Sequence, residues 1–356
     1  MTDFLVRRDE LRECRVAEAP PPEPGPGQAR LRIDTFGLTA NNVTYAVFGE
    51  AMSYWDFFPA EAGWGRVPVW GFAEVERSEA KGLEPGTRVY GYLPPSTHLI
   101  VQPARTDPQG FLDGSPHRAG LAAAYQRYLL TGRDPLYRGD TEELQMLLRP
   151  LFITSFLIDD QLADAGLVEQ GPILISSASS KTAIGVAFRL AQHEGAEVVG
   201  LTSGRSADFV DGLGIYKRTV TYDEIDSLPS GPATFVDIAG DGGVRHTVHA
   251  HYGGDLLSSM AVGATHRGEL TVGHSELPGP SPTLFFAPDR VVKRSADWGP
   301  EAFARRVADA WHPFCAWAGG WIEVLRSDGF DAVRQAYLDV LDGRVPPTAA
   351  HVLSVG

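Results

Sequence analysis

The chain has 356 residues, 43% of them hydrophobic and 21% charged, which is enough apolar material for two packed domains and excludes a disordered chain. Its formal charge of -14 repels nucleic-acid phosphates and anionic lipid surfaces, so neither nucleic acid nor a membrane is expected as a partner. Two cysteines, Cys14 and Cys315, exclude a disulfide framework or a cysteine-rich zinc site, and the absence of an apolar run of signal or spanning length points to a cytoplasmic protein.

In chain order, Leu5 to Arg8 and Cys14 to Ala17 read as short strands. The proline- and glycine-rich stretch 19–27 is a turn or linker. Period-two alternation over Ala29 to Phe36 and over Gly71 to Arg77 marks half-buried strands, so this part is β-rich. Helical patterning then covers Arg118 to Leu130, Thr141 to Leu148 behind Asp140 as cap, and Phe152 to Asp164. Apolar strands at 172–175, 197–201, 219–221, 234–238 and 256–262 follow, the first three separated by helices at 182–194 and 206–213. That alternation predicts an α/β doubly wound parallel sheet with its ligand at the carboxyl ends of the strands. Helices over Glu301 to Arg326 and Phe330 to Leu341 and a strand over His351 to Val355 close the chain.

The loop Ser176-Ser177-Ala178-Ser179-Ser180-Lys181-Thr182 lies between an apolar strand and a helix, where doubly wound folds seat a pyrophosphate. It lacks the glycine fingerprint. Its small residues still admit an anion to the backbone, and Ser177, Ser179, Ser180, Thr182 and Lys181 supply donors. The other reading is a capped helix start with an exposed lysine. The second strand ends in Thr202-Ser203-Gly204-Arg205, with no acid for a ribose 2′-hydroxyl; Ser203 and Arg205 suit a 2′-phosphate, which favours NADP(H), unless the segment is an ordinary polar turn. His246, His249 and His251 lack a completing carboxylate or cysteine and read as solvated or capping residues, not as a metal site. Asp159 and Asp160 point apart on a helix and read as ordinary helix residues, not as an acid/base pair.

Five stretches together resemble the medium-chain dehydrogenase/reductase superfamily. Leu83 to Gly91 resembles its Gly-Asp-Arg-Val strand, Gly37 to Tyr45 its active-site loop, and Phe152-Ile153-Thr154-Ser155 its threonine segment near the nicotinamide. Ile173 to Leu190 resembles the first βα unit, and Val198 to Tyr222 the second strand and its sequel. The runs 147–160 and 176–182 resemble, more closely, a branch catalogued only as a domain of unknown function. The resemblance implies a GroES-like β-rich domain over 1–150, completed by 300–356, and a Rossmann domain over 151–299. Thr39 stands where zinc-dependent relatives have cysteine, and Gly71-Phe72-Ala73 where they have Gly-His-Glu, which implies a zinc-free member similar to quinone and enoyl reductases.

Carried over by position, Asn42 and Tyr45 face the nicotinamide, or Asn41 if the register slips by one. Tyr45 is then a proton donor to an enolate, or else an aromatic of the β-domain core. Thr154 would contact the nicotinamide or its ribose, Ser203 and Arg205 the 2′-phosphate, and Tyr222 the adenosine end. The insertion 118–149, with Tyr125, Arg127, Tyr128, Arg133 and Tyr137, suits an acidic or aromatic ligand or a domain interface. The implied protein is an NADP(H)-dependent reductase of a small conjugated carbonyl compound, homodimeric by analogy through a strand at Leu284-Phe285-Phe286. The alternative is a non-redox binder or enzyme on the same scaffold.

Overall fold

The computed structural model describes residues 1–262 and 277–355. They divide into two compact units, 1–150 with 318 onward and 151–317. The stretch 300–317, expected with the β-rich domain, falls in the second unit.

In the first unit β1 (Thr2–Arg7) pairs antiparallel with β2 (Cys14–Glu18). β3 (Ala29–Leu38) leads into helix α1 (Ala40–Val47), and the short β4 (Trp64–Gly65) takes the other edge of β1. Then come β5 (Val69–Ser78), β6 (Arg88–Leu93), β7 (His98–Val101), β8 (Pro103–Asp107), β9 (Gly110–Asp113) and β10 (Arg127–Leu130). Antiparallel pairing orders them β3-β5-β6-β10-β9-β8, with β7 also on β3. Alternate residues Leu31, Ile33, Val75 and Val89 turn inward to one apolar core.

The sequence predicts a helix over 118–130; the chain instead makes two short 3-10 turns and then strand β10. Two glycines explain it. The Tyr128 ring fills the space beside Gly91, where a Cβ would lie 2.6 Å from it, and a Cβ on Gly110 would lie 2.0 Å from the Tyr128 carbonyl oxygen. This strand packing outweighs the local helix preference of Ala122, Ala123 and Ala124.

Helix α2 (Glu142–Asp164) runs through Pro150 where the sequence predicts two helices. An interior proline removes a backbone donor and costs about 3 kcal/mol. Burial of Met146, Leu147, Leu148, Phe152, Phe156 and Leu157 on both sides of it offsets that cost.

The second unit contains β11 (Ile173–Ile175), α3 (Lys181–Leu190), β12 (Val198–Thr202), α4 (Ala207–Gly212), β13 (Arg218–Thr221), β14 (Ala233–Asp237), α5 (Gly242–Tyr252), β15 (Leu256–Ala261) and β16 (Thr283–Leu284). All pairings are parallel in the order β13-β12-β11-β14-β15-β16, the 3-2-1-4-5-6 order of a Rossmann sheet, as the sequence predicts. β16 forms one edge, with Leu284 and the following Phe286 exposed and Phe285 buried. Helices α6 (Ala287–Trp298) and α7 (Pro300–Ala318) follow.

A single helix over 301–326 is expected, but α7 stops at Ala318, before Gly319 and Gly320. Residues Glu323–Asp328 form β17 instead, and after α8 (Phe330–Leu341) the chain returns as β18 (Ala349–Ser354), parallel to β17 and antiparallel to β3.

Asp159 and Asp160 do point apart, but neither is an ordinary helix residue. Asp159 accepts from Arg189 Nε at 3.1 Å and meets His193 Nε2 at 2.7 Å, while Asp160 accepts from Arg294 Nε at 2.8 Å and also from Arg290. Carboxylates on adjacent positions, Asp159 buried and Asp160 half-buried, thus tie α2 to α3 on one side and to α6 on the other. Two of the three histidines also differ from expectation. His249 is buried between the Pro278 carbonyl and Ser259 Oγ, both at 2.9 Å, and His251 Nε2 lies 2.9 Å from the Leu228 carbonyl; His246 is exposed.

Gly110→Ala is expected to lower stability by about 1–3 kcal/mol, because the new methyl overlaps the Tyr128 backbone. Gly132→Ala, whose Cβ meets nothing within 4 Å, should change it by less than about 0.5 kcal/mol. Urea unfolding of the two variants beside the parent checks both.

Candidate functional site

In the second unit the strand order reverses between β11 and β14, and the loop 176–180 leaves β11 at that point. Ser177 sits in the left-handed region at φ 52°, where no glycine relieves the turn. Its neighbours hold it. Ser176 Oγ donates to Asp237 Oδ1 at 2.8 Å and accepts from Ala239 N at 2.9 Å. Asp237, buried at the end of β14, also accepts from Gly240 N at 3.0 Å and from Arg245 Nε at 2.9 Å. From the other side Tyr216 donates to the Ala178 carbonyl at 2.9 Å, and Ser177 N donates to the Tyr222 hydroxyl at 3.0 Å.

Ser180 caps α3 by accepting from Ala183 N at 3.3 Å. The backbone N–H groups of Lys181 and Thr182 belong to the same first turn, at the positive end of the helix. Burial pushes the Lys181 ammonium down to about 8. Backbone donors, a positive helix end and a lysine together suit an anion. Ser155 Oγ donates to the Thr182 carbonyl at 2.8 Å, which sets the turn of α2 that carries half-buried Thr154 against the start of α3. At the end of β12, Ser203 is half-buried and Arg205 exposed, with no carboxylate at either position.

The sequence singles out the loop serines, Lys181, Thr182 and Tyr222 but not Asp237, Arg245 and Tyr216, which shape the same loop. One signal existed for Asp237, an acid closing an otherwise apolar strand beside β11.

In the first unit the expected active-site loop is helix α1. Asn42 is 3% exposed and committed to backbone: its Oδ1 accepts from Thr39 N at 2.8 Å and its Nδ2 donates to the Pro68 carbonyl at 2.9 Å. A side chain held at both ends positions the helix, which corrects its expected place facing the nicotinamide. Asn41, one residue earlier, lies on the adjoining course of the helix and donates to the Tyr45 hydroxyl at 2.7 Å. Trp70 Nε1 donates to the same oxygen at 3.2 Å. Tyr45 is 4% exposed and packs with Phe57, Phe58 and Tyr92, so it belongs to an aromatic cluster and also carries a polarised hydroxyl. Burial raises its phenol above the usual tyrosine range, which keeps it protonated. Among the described residues no group of three or more His, Cys, Asp or Glu side chains is gathered as for a metal ion, and no helix is long and apolar enough to cross a membrane.

The family described as protein of unknown function DUF2855 matches residues 36–346. The chain belongs to that family. No curated protein matches this DUF2855 chain in sequence. Solved structures of the same fold include CurA from Vibrio vulnificus in complex with NADPH, at 12% identity and a TM-score of 0.58 over 100% of this chain and 99% of that one. The quinone oxidoreductase from Coxiella burnetii is 14% identical with a TM-score of 0.60 over 100% and 99% of the two chains. The yhdH oxidoreductase from Salmonella enterica in complex with NADP is 14% identical with a TM-score of 0.57 over 100% of both. The DUF2855 chain therefore has the fold of medium-chain reductases, a GroES-like unit and a Rossmann unit.

Asn42→Ala is expected to cost about 1–3 kcal/mol, since it leaves the buried Thr39 N–H and Pro68 carbonyl unpaired. Asn41→Ala, at a half-exposed position, should cost less than about 1 kcal/mol. Denaturant unfolding of the pair separates a positioning asparagine from one that serves the Tyr45 hydroxyl.

Proposed function

We propose that this DUF2855 protein is an NADP(H)-dependent, zinc-free reductase that moves hydride between nicotinamide and the conjugated carbonyl of a small molecule such as an enone or a quinone. The observation that carries the reading is the exposed Arg205 at the end of the second strand of a 3-2-1-4-5-6 sheet, where an acid would select NAD(H). The NADPH held by CurA and the NADP held by the yhdH oxidoreductase, on the same fold, support it.

On this reading the N–H groups of Lys181 and Thr182 and the hydroxyls of Ser177, Ser179 and Thr182 bind the pyrophosphate. Lys181 adds charge, and Ser203 and Arg205 hold the 2′-phosphate. Tyr222 stacks or bonds at the adenosine end, and Thr154 meets the nicotinamide or its ribose. When bound, the nicotinamide supplies or takes the hydride. Tyr45 holds the proton that the reduced carbonyl compound needs, and Asn41 and Trp70 stabilise the oxygen it leaves. Thr39 is turned to Asn42 Oδ1 at 3.3 Å and Phe72 lies in the core, so the two positions that resemble a zinc site carry no ligand atom suited to it. The exposed Leu284 and Phe286 beside edge strand β16 support a homodimer contact there.

One observation favours the second reading, a non-redox nucleotide binder. Tyr222 already occupies the Ser177 N–H that a phosphate would use.

Calorimetric titration with NADPH and NADH tests the proposal. NADPH should bind about tenfold or more tightly, Arg205→Ala should abolish that preference, and Lys181→Ala should weaken both cofactors about tenfold. Lys181 carries its charge below pH about 8 and loses it as pH rises through that value, so affinity for both cofactors should fall from pH 7 to 9.5. In Lys181→Ala that decline should flatten. Equal affinity for the two cofactors whatever stands at position 205, or no binding of either, contradicts the reading.

A further inference from the structure

The crevice where the strand order reverses is bordered by two turns, 176–180 after β11 and 238–241 after β14. One carboxylate serves both. Asp237 Oδ1 accepts from Ser176 Oγ at 2.8 Å in the first turn and from Gly240 N at 3.0 Å in the second. Ser176 Oγ in turn accepts from Ala239 N at 2.9 Å, so the two turns are bonded to each other as well as to the acid. The other oxygen of Asp237, Oδ2, accepts from Arg245 Nε at 2.9 Å and lies 2.8 Å from its Nη2. Ser176 and Asp237 are buried and Arg245 is half-buried. β14 pairs with β11 and β15 through its backbone, so the sheet needs no acid at that strand's end. What the acid adds is the geometry of the two turns.

Ser177 is the residue that this geometry has to hold. Its φ of 52° is left-handed, a conformation that glycine takes freely and an L-residue takes only at a cost. Backbone bonds anchor the residues on either side of it: Ser176 N donates to the Val236 carbonyl at 3.1 Å and Ala178 N to the Leu201 carbonyl at 3.0 Å. Ser180 N donates to the Ser177 carbonyl at 2.7 Å, so the orientation of the peptide after Ser177 sets where α3 begins. The Ser176 side chain then links this turn to the one across the crevice.

We propose that Asp237, acting through Ser176 and with Arg245 behind it, is the positioning residue of the pyrophosphate site; the proposal rests on the dinucleotide reading above. It holds Ser177 left-handed before any ligand arrives, so that the first turn of α3 meets a phosphate without rearrangement. Its effect is on the fraction of molecules whose turn already has the binding conformation, and apparent affinity scales with that fraction. With the hold released, the left-handed cost of an L-residue decides the fraction. A tenfold fall corresponds to about 1.4 kcal/mol, which is on the scale of that cost.

The test titrates the full chain with NADPH, ADP and adenosine 2′-monophosphate, in wild type, Ser176→Ala, Ser177→Gly and the variant that carries both changes. Ser176→Ala should weaken NADPH and ADP about tenfold and leave adenosine 2′-monophosphate, which has no pyrophosphate, within about twofold; a merely structural defect would weaken all three. In the Ser177→Gly background the same substitution should weaken NADPH and ADP less than about threefold, because glycine needs no hold. Any effect of Ser177→Gly on its own cancels in that comparison. Arg245→Gln should give the Ser176→Ala pattern to a smaller extent, and it gives the reading if Ser176→Ala does not fold. Unchanged affinities, an equal loss for adenosine 2′-monophosphate, or a full loss in the Ser177→Gly background overturns the positioning role and leaves the dinucleotide reading standing. If wild type binds neither NADPH nor ADP, that reading falls and the positioning role with it.

Discussion

The turn from β11 into α3 has to leave the sheet and start a helix within five residues, and it does so without a glycine. Ser177 therefore adopts a left-handed backbone that costs on the order of 1–2 kcal/mol for an L-residue. Such a conformation persists only where its surroundings over-determine it. Here Asp237 fixes Ser176 from one side, with Arg245 holding Asp237 in turn, while Tyr216 and Tyr222 fix Ala178 and Ser177 from the other. Gly200 makes room for this arrangement, since a Cβ there would lie 2.9 Å from the Tyr216 ring and 3.0 Å from Ala178. The position of the α3 N-terminus, and with it any anion site in the second unit, follows from this one turn.

The first unit is organised by a comparable economy. Asn42 spends its whole side chain on backbone groups at the end of β3 and before β5, which fixes α1 against the sheet. Asn41 and Tyr45 are then left on the adjoining course of the helix, four residues apart, and their side chains meet. Trp70 closes on the same oxygen from β5. Tyr45 is therefore both a member of the aromatic core and the acceptor of two N–H bonds.

Much of this was legible in the sequence. The parallel sheet came from apolar strands of β-branched residues alternating with helices, and the hydroxyl-rich turn from its place between β11 and α3. What sequence could not supply was tertiary. Residues 122–124 favour helix locally, but the opening left by Gly91 and Gly110 draws Tyr128, four residues on, into a strand. The helical pattern over 301–326 hides a break at Gly319-Gly320, after which the partner strand β18, distant in sequence, decides the conformation. Asp159 and Asp160 looked ordinary because their partners, Arg189 and Arg294, lie 30 and 134 residues away. Asn42 and Asn41 differ by one position, and only the cap at Thr39 assigns them different work.

On the proposed reading the glycine-free turn at 176–182 seats a dinucleotide. A crystal structure of the full chain grown with NADPH tests it most directly. The pyrophosphate is then expected within hydrogen-bonding distance of the Lys181 and Thr182 N–H groups and the 2′-phosphate against Arg205. A dinucleotide bound elsewhere, or a turn at 176–182 that remains closed by Tyr222 with no phosphate against it, would contradict it.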